Sequence, residues 1–339
     1  MANTFKFGNG NWATKEDSVL AYNDENANFK PLPFDFTRAS TATYVDSDGL
    51  IKIARNGEAR IDYTDSTDGA LLLEPSRSNF IPYSEDFNLV WVERSVTLTA
   101  NSVISPDGTQ NASTLTINNS TPYLGDINNI VTTGSTYTIS CFVKKGTNRW
   151  VRLASYSSAI SGAWFDLENG VVGTVNSTSA SIEDFGNGWY KIKNTTIVSN
   201  GNNQAFIGLS DADGGTSSSQ IGNTVYIYGA QIEQGSYATS YIPTSGSAVT
   251  RVADVCEGAG NSEVFNDSEG VLYAEISALA NDGTNRAIAI SDGTTSNVVR
   301  FYYSVTDNRI VGNVKSSGSS VFSFNNVLTD ATDFIKVAV

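Results

Sequence analysis

Residues 137–156 read YTISCFVKKGTNRWVRLASY, two runs of alternating character joined by a short polar segment. From Tyr137 to Val143 every second residue is apolar, and Val151 and Leu153 continue the alternation in the second run. Because successive side chains of an extended chain point to opposite faces, each run has one apolar face and one mixed face. The stretch therefore predicts two β-strands that each bury one face in a core.

Similar runs, bounded by turn residues, recur through most of the chain, and no window keeps the apolar spacing of a helix for even three turns. We predict an all-β protein. The predicted strands of its middle region are residues 96–99, 114–117, 137–144, 150–156, 163–166, 189–198, 205–209 and 225–233. About eight short strands at this spacing are typical of a two-sheet sandwich or jelly roll.

Loop-like segments divide the chain. The predicted regions are an attachment arm at 1–36, a small β or adaptor region at 37–85, a jelly-roll β-sandwich at 86–245, and the start of a second β-sandwich at 262–339. The dipeptides Asp48-Gly49 and Asn56-Gly57 favour hairpins in the adaptor region, since they tolerate positive φ. We expect four or five strands in the last region, and we expect that sandwich to be incomplete, because residues 333–339 read as a strand with no turn after it.

The charge and composition exclude several functions. The 339 residues include 21 Lys and Arg against 35 Asp and Glu, a formal net charge of -14, and no His. A negative field repels phosphate backbones and anionic lipids, so we predict no nucleic-acid binding and no membrane insertion. Without His there is no Ser-His-Asp or Cys-His catalysis and no His-ligated zinc or iron.

The two cysteines and the N-terminal residues indicate where the protein folds. Cys141 and Cys256 fall in different predicted regions, so we favour two reduced thiols, although one disulfide is conceivable. The opening MANTFKFGNGNW lacks the basic start and apolar run of a signal peptide, and no stretch approaches the ~20 apolar residues of a membrane span. We therefore expect the protein to fold in a cytoplasm.

Three stretches carry a resemblance. They are FTRASTATYVD at 36–46, LLEPSRSN at 72–79 with YSEDF at 83–87, and GAQIEQG at 229–235 with YIPT at 241–244. In this order and spacing they resemble bacteriophage tail-fibre and appendage proteins with carbohydrate-binding-like jelly rolls. The resemblance covers most of residues 34–255. The start of the last region is similar to a concanavalin-type lectin or laminin-G-like sandwich.

The resemblance implies a virion protein on an exterior fibre or spike, assembled in the host cytoplasm, usually a homotrimer, that binds host cell-surface glycan. Similar modules also occur as head fibres or capsid decoration proteins, so a structural role with weak or no glycan binding is the alternative. We expect residues 1–36 to attach the chain to other virion proteins, because this segment is rich in aromatic residues and too short to bury them alone.

Candidate glycan-binding residues lie opposite the predicted core faces. Trp150, Arg152 and Tyr156 share one face of their strand, and Tyr226 and Tyr228 share one face of another. Aromatic rings offer a stacking surface to sugar C–H groups, and an arginine offers charged donors to hydroxyls. The alternative is that the N-terminal arm, a loop or a neighbouring subunit covers these faces. The charge of -14 favours a neutral or weakly charged glycan.

Acidic clusters are candidates for calcium binding or catalysis. The segments 46–49, 62–68 and 211–214 carry spaced aspartates, but these sequences are also ordinary turns, so we favour no cofactor, with calcium as the alternative. Asp166 with Glu168, and Glu183 with Asp184, are carboxylate pairs beside turn residues. Acidic residues beside turns are typically solvated, so we predict a protein that is not an enzyme and has no catalytic residues. We expect Trp164 and Trp189 to be core residues.

Overall fold

The computed structural model describes residues 5–6, 12–23, 28–125, 129–156, 160–199, 202–260, 269–306 and 308–339. Over these ranges the chain forms strands and turns without a helix, which confirms the all-β prediction. Accordingly, no described segment is a helix long and apolar enough to cross a membrane. The chain divides into two compact units, which separate at residues 259 and 260.

The first unit opens with nine short strands. They are β1 (Phe5–Lys6), β2 (Thr14–Lys15), β3 (Ser18–Asn23), β4 (Asn28–Thr37), β5 (Ala42–Val45), β6 (Ile51–Ala54), β7 (Arg60–Asp62), β8 (Ala70–Leu72) and β9 (Arg77–Asn79). β5 pairs with β6 and β7 with β8, both antiparallel. Gly49 forms the turn of the first hairpin at φ 76°, as predicted. Gly57 is also at a turn, but β6 and β7 are not paired, so Asn56-Gly57 does not close a hairpin.

Thirteen strands form a two-sheet sandwich. They are β10 (Val92–Arg94), β11 (Val96–Val103), β12 (Ala112–Ile117), β13 (Tyr123–Gly125), β14 (Asn129–Ile130), β15 (Thr136–Lys145), β16 (Trp150–Tyr156), β17 (Ile160–Asp166), β18 (Val171–Val175), β19 (Ser179–Asp184), β20 (Trp189–Ile197), β21 (Asn202–Ser210) and β22 (Thr224–Gln234). A seven-stranded sheet has the order β10-β13-β21-β16-β17-β18, with β14 also on β21. A six-stranded sheet has the order β11-β12-β22-β15-β20-β19. The eight predicted strands are all present.

The inner faces of the two sheets form one core. Ile139 and Cys141 of the six-stranded sheet pack with Val151 and Leu153 of the seven-stranded sheet, and none of the four exposes more than 1% of its surface. The apolar face of residues 137–144 is thus buried in the core, as the alternation predicted. Both cysteines are free thiols. Burial raises the pKa of the Cys141 thiol to about 12, so this thiol is protonated at neutral pH.

The hairpin β5–β6 covers part of the outer face of the six-stranded sheet. Ile51 packs there in a second cluster with Phe142, Trp189, Tyr228 and Tyr241. The backbone N–H of Ile51 donates to the carbonyl of Pro106 at 3.0 Å, which fixes the hairpin on the sheet. Phe142, which alternates with the inner core residues Ile139 to Val143, is therefore also buried, in the second cluster under the hairpin.

The described part of residues 1–36 forms a sheet within its own chain rather than a free arm. Two strands follow the sandwich, β23 (Val249–Arg251) and β24 (Val255–Glu257). β24 pairs with β4, which pairs with β3. Val19 and Phe36 are fully buried against Ala59. The described residues therefore pack within their own chain, and the attachment of this segment to other virion proteins stays a prediction. The side chains of residues 1–11 and 20–33 lie outside the described residues.

A buried ion network joins the start of the first unit to its end. Glu74 Oε2 lies 2.7 Å from Nη1 of both Arg60 and Arg251, and Asp254 contacts Arg60 and Arg38 at 2.5 and 3.0 Å. These side chains have at most 3% of their surface exposed. The partners lie far apart in sequence, since Arg60 and Asp254 are separated by 194 residues. The network therefore fixes the small strands against the sandwich.

The second unit contains the two-stranded sheet β25 (Tyr273–Ile276) with β30 (Ile335–Ala338), and the four-stranded sheet β26 (Arg286–Ser291), β27 (Val298–Tyr303), β28 (Arg309–Ser316) and β29 (Ser319–Val327). Six strands are present where four or five were expected. Phe301 and Ile310 lie in its core. The edge strand β29 exposes Val321, Phe322 and Val327, and an open groove of about 730 Å³ lies beside it, with mainly apolar lining residues.

Glu74 should make the stability of the first unit depend on pH. Burial alone would raise its pKa, but Arg251 and Arg60 outweigh that effect and hold the pKa at about 2. A depressed folded-state pKa stabilises the fold above pH ~4.5, and this contribution is lost as the pH falls towards 2. We expect Glu74→Gln to lower the free energy of unfolding by about 3 kcal/mol or more at pH 7. The difference from the original protein should shrink between pH 4.5 and 2.

Tryptophan fluorescence during urea unfolding measures this effect, because all five tryptophans lie before residue 260 and report on the first unit. Glu168→Gln is the matched control, since Glu168 is half exposed in an ion pair with Lys145 and its loss should change the free energy of unfolding by less than about 1 kcal/mol. Equal effects of the two substitutions, or a pH-independent difference for Glu74→Gln, would contradict the assignment.

Candidate functional site

The outer face of the seven-stranded sheet carries a group of aromatic side chains around one arginine. Strand pairing places Arg152 of β16 beside Trp164 of β17 on one side and Gly208 of β21 on the other. Gly208 in turn pairs with Tyr123 of β13. We call Tyr123, Trp150, Arg152, Trp164 and Phe206 the aromatic face. Its position follows from the core residues that alternate with it on the same strands.

Trp150 is the accessible aromatic residue at one end of this face. Its ring is half-buried and lies over β18, where a Cβ on Gly173 would come within 2.7 Å of a ring carbon. Glycine at this position therefore leaves room for the indole. The Arg149 guanidinium lies 5.5 Å from the ring centroid, within range of a cation–π interaction. The ring is held in place but keeps part of its surface open.

Arg152 lies at the centre of the face and is nearly enclosed. The residue keeps 8% of its surface exposed, and its guanidinium carbon is 5.4 Å from the centroid of the Trp164 ring. Trp164 is fixed by donation of its indole N–H to the carbonyl of Gly215 at 2.6 Å. Burial lowers the pKa of Arg152.

Tyr156, the third residue predicted on this strand, is described by its backbone alone, which pairs with Ile160 and Gln204. Its side chain lies outside the described residues. The prediction for Tyr156 therefore stays a prediction.

Tyr226 and Tyr228 belong to the other sheet, so the structure does not bring them together with Trp150. Tyr228 is 3% exposed, and its hydroxyl lies 3.2 Å from both Glu85 and Asp107. Burial, together with these two acids, raises its pKa far above the usual range. Tyr226 is half-buried against the same cluster. The predicted glycan role of Tyr228 is corrected here, because hairpin β5–β6 covers its face.

The sequence analysis missed three members of the aromatic face. Tyr123 lies on β13, a three-residue strand too short to show alternation. Trp164 is buried, as expected of a core residue, but its ring contacts Arg152 on the outer face. Phe206 could have been found, because it alternates with apolar residues at 205, 207 and 209 that lie in the core. Its ring centroid is 4.9 Å from that of Tyr123.

Asp46 and Asp211 use their carboxylates within their own loops, whereas Asp213 bonds to Thr174 of β18. Asp46 accepts from the backbone N–H groups of Asp48 and Leu50 at 3.0 and 2.9 Å. Asp211 accepts from Ser218 and Ser219, and Asp213 accepts from the N–H and hydroxyl of Thr174. In the described ranges, no three carboxylate or thiol groups are close enough together to hold a metal ion.

Three of the four carboxylates considered for catalysis are in ion pairs, and the fourth, Asp184, accepts from the backbone N–H of Gly186. Arg149 donates to both oxygens of Asp166, at 2.8 and 2.6 Å, and this interaction holds the pKa of Asp166 well below its usual range. Glu168 pairs with Lys145, and Glu183 pairs with Lys193. Burial alone would raise the pKa of Glu183, but Lys193 and Lys191 outweigh that effect and lower this pKa, whereas a general acid needs a raised pKa.

No protein-family model and no curated protein matches the sequence. Several solved structures do match. The CBM22-1 xylan-binding domain of Xyn10C from Paenibacillus barcinonensis is 12% identical, with a TM-score of 0.30, over 48% of this chain and 94% of that chain. The C-terminal CBM6 of LamC from Zobellia galactanivorans is 12% identical, with a TM-score of 0.27, over 47% of this chain and 99% of that chain.

A third match is the enzymatically active domain of tailspike protein 4 from bacteriophage CBA120, at 12% identity and a TM-score of 0.28, over 44% of this chain and 20% of that chain. At these TM-scores the likeness carries no argument about function. The two-sheet architecture stands on the strand pairing, and the class of protein that follows from it is a β-sandwich with an aromatic outer face.

Removing divalent cations should leave the first unit folded. The Asp46 and Asp211 carboxylates already accept hydrogen bonds from their own loops, and Asp213 accepts from Thr174, so these carboxylates have partners within the chain. We expect the melting temperature, followed by tryptophan fluorescence, to change by less than about 2 °C on adding EDTA. A fall of more than about 10 °C that calcium reverses would reveal a bound ion, since a site filled at ~1,000 times its Kd contributes roughly 4 kcal/mol.

Proposed function

We propose that this protein binds a host cell-surface glycan through the aromatic face, as an exterior fibre or spike protein of a bacteriophage. The observation that carries the proposal is the half-exposed Trp150 on the same strand and face as Arg152. A sugar ring can stack its C–H groups on the indole while its oxygens accept from the guanidinium. The two residues are about 7 Å apart along the strand, which suits contact with one or two sugar rings.

The virion setting is supported by the resemblance of residues 36–46, 72–87 and 229–244 to phage appendage proteins. Two residues of these segments stabilise the fold. Glu74 lies in the buried ion network, and Asn79 makes four buried hydrogen bonds. The resemblance therefore concerns the frame of the first unit, and the ligand is argued from the aromatic face. We propose that the small sheet built from β3 and β4, with the residues before it, attaches the chain to other virion proteins.

We also propose that the glycan is bound without being cleaved. Asp166 is paired with Arg149, and Glu168 and Glu183 are each paired with a lysine. Hydrolysis of a glycosidic bond requires two carboxylates that flank it, one of them protonated. The aromatic face contains no carboxylate among its five residues.

A structural role as a head fibre or capsid decoration protein is the second candidate. One observation favours it. The edge strand β29 exposes Val321, Phe322 and Val327, and unpaired edge strands with apolar side chains are suited to contacts between chains. Both candidates predict the same homotrimer, and they differ in whether glycan binding matters for adsorption.

Trp150→Ala should weaken glycan binding several-fold, because it removes a stacking contact worth about 1 kcal/mol. The fold should survive, since Val151 and Leu153 carry the core side of that strand. The measurement is titration of the full chain with the strongest-binding oligosaccharide of a glycan array, with melting followed in parallel. Mass spectrometry of the same samples should show intact oligosaccharide.

Tyr226→Ala is the matched comparison on the other sheet. Tyr226 is also a predicted glycan-binding residue, and its half-buried ring lies away from the aromatic face, so its loss should leave the affinity unchanged if the aromatic face is the site. An unchanged affinity of Trp150→Ala, or equal losses in both variants, would remove the aromatic face as the binding site.

Antibodies against the first unit, which carries the aromatic face, should label the exterior of particles that contain this protein and should block adsorption to the host. The purified protein should have the mass of three chains of 36.2 kDa each. Labelling of the head without any effect on adsorption would favour the structural candidate, and a stable monomer at micromolar concentration would contradict the trimer.

A further inference from the structure

Arg152 is a buried charge without a counter-ion in the part of the chain that the structure describes. The residue exposes 8% of its surface, and its Nε is fully buried without a hydrogen-bond partner. Its guanidinium forms no ion pair or hydrogen bond with the described residues. Arg60 and Arg251 also leave Nε unpaired, but each contacts a carboxylate through Nη1. Arg77 and Arg300 share the unpaired Nε and have no carboxylate partner among the described residues, but both residues are partly exposed, whereas Arg152 is buried.

A buried guanidinium without a counter-ion destabilises the fold unless another group accepts its hydrogen bonds. Burying a charge without compensation is among the most expensive arrangements in a fold, and an arginine cannot escape the cost by losing its proton. Burial lowers the pKa of Arg152, and no acidic neighbour opposes the effect. A neutral hydroxyl would offer the guanidinium an acceptor. A carboxylate would offer two acceptors and the missing charge.

The charges around Arg152 indicate where an anion would bind. Asp166 is neutralised by Arg149, and Asp213 lies at the Trp150 end, next to the position that a Gly173 side chain would occupy. On the opposite side of Arg152, Gly208 pairs with Tyr123, and Tyr123 pairs with Arg94 of β10. Arg94 is an exposed cation at the edge of the sheet. An anion is therefore favoured on the Tyr123 side of Arg152, away from Asp213.

We infer that the aromatic face takes an acidic glycan, in which the carboxylate of one sugar pairs with Arg152 and a neighbouring sugar stacks on Trp150. The inference rests on the proposed glycan binding and adds the ligand class. It replaces the neutral glycan that the net charge favours. The net charge acts over a distance that salt limits to about 8–10 Å, whereas the carboxylate would contact Arg152 directly.

The first experiment uses the full chain and an array of uronate- and sialate-containing oligosaccharides, each printed beside its carboxyl-reduced form. The paired probes have nearly the same shape and differ in charge. We expect the acidic member to bind at least about tenfold more tightly in one or more pairs, because charged hydrogen bonds are markedly stronger than neutral ones. Equal or tighter binding of the reduced forms would overturn the inference and leave the proposed function intact. If no oligosaccharide of either kind binds, both fail.

Arg152→Gln and Arg152→Lys assign the preference to this side chain. Arg152→Gln should abolish the preference for the acidic member: the acidic form should bind at least about tenfold more weakly and the reduced form at most a few-fold more weakly, since Gln can still donate to a hydroxyl. Arg152→Lys should keep part of the preference. The melting temperature of Arg152→Gln should be unchanged or higher, since an unpaired buried charge is removed. This readout is independent of binding.

Three results with Arg152→Gln would overturn the inference. Equal weakening of both members of a pair would mean that Arg152 contacts hydroxyls. A large fall in melting temperature would mean that the chain itself supplies a counter-ion. A change in oligomeric mass would mean that the counter-ion comes from a neighbouring subunit.

Discussion

The buried contacts of Glu74 and Asp254 with three arginines are the constraint on which the first unit depends. Most of these contacts, such as those of Arg38 with Asp254 and of Arg251 with Glu74, join residues that are distant in sequence, so the entropy of closing a long loop opposes them. The ion pairs compensate for the desolvation of their own charges only while every partner is present. The small strands before the sandwich, the sandwich itself and β23–β24 are therefore stable together. Arg60 of the network also donates to the carbonyl of Thr43, in the hairpin that covers Tyr228.

The two outer faces of the sandwich show how the same alternation leads to different environments. On the six-stranded sheet, Phe142 and Tyr228 meet Ile51 of a hairpin from the same chain and become core residues. On the seven-stranded sheet, Trp150 keeps part of its surface, and Arg152 is enclosed without a carboxylate partner among the described residues. What distinguishes the faces is which segment of chain packs on them.

Alternation alone was sufficient to predict the eight main strands, the inner core from Tyr137 to Val143, and the face of Trp150 and Arg152. Alternation could not predict that Tyr228 is covered. The covering residue Ile51 lies more than 150 positions away, and the sequence of its strand does not indicate which surface it packs on. Short strands such as β13 are similarly hidden, since three residues carry too little pattern. The segments that resemble phage appendage proteins contain Arg38 and Glu74 of the ion network, which is why they indicate a fold more clearly than a ligand.

The chain enters and leaves the sandwich at neighbouring points. β9 and β23 pair antiparallel, and Tyr83 forms a further bridge to Ser245, so the segment between them begins and ends side by side. A domain attached in this way can be replaced by recombination without moving the segments that flank it. A replacement would need to retain few contacts with the ion network, among them that of Ser240 with Glu74. A lineage could then change its recognition surface by exchanging one gene segment and keep its assembly unaltered.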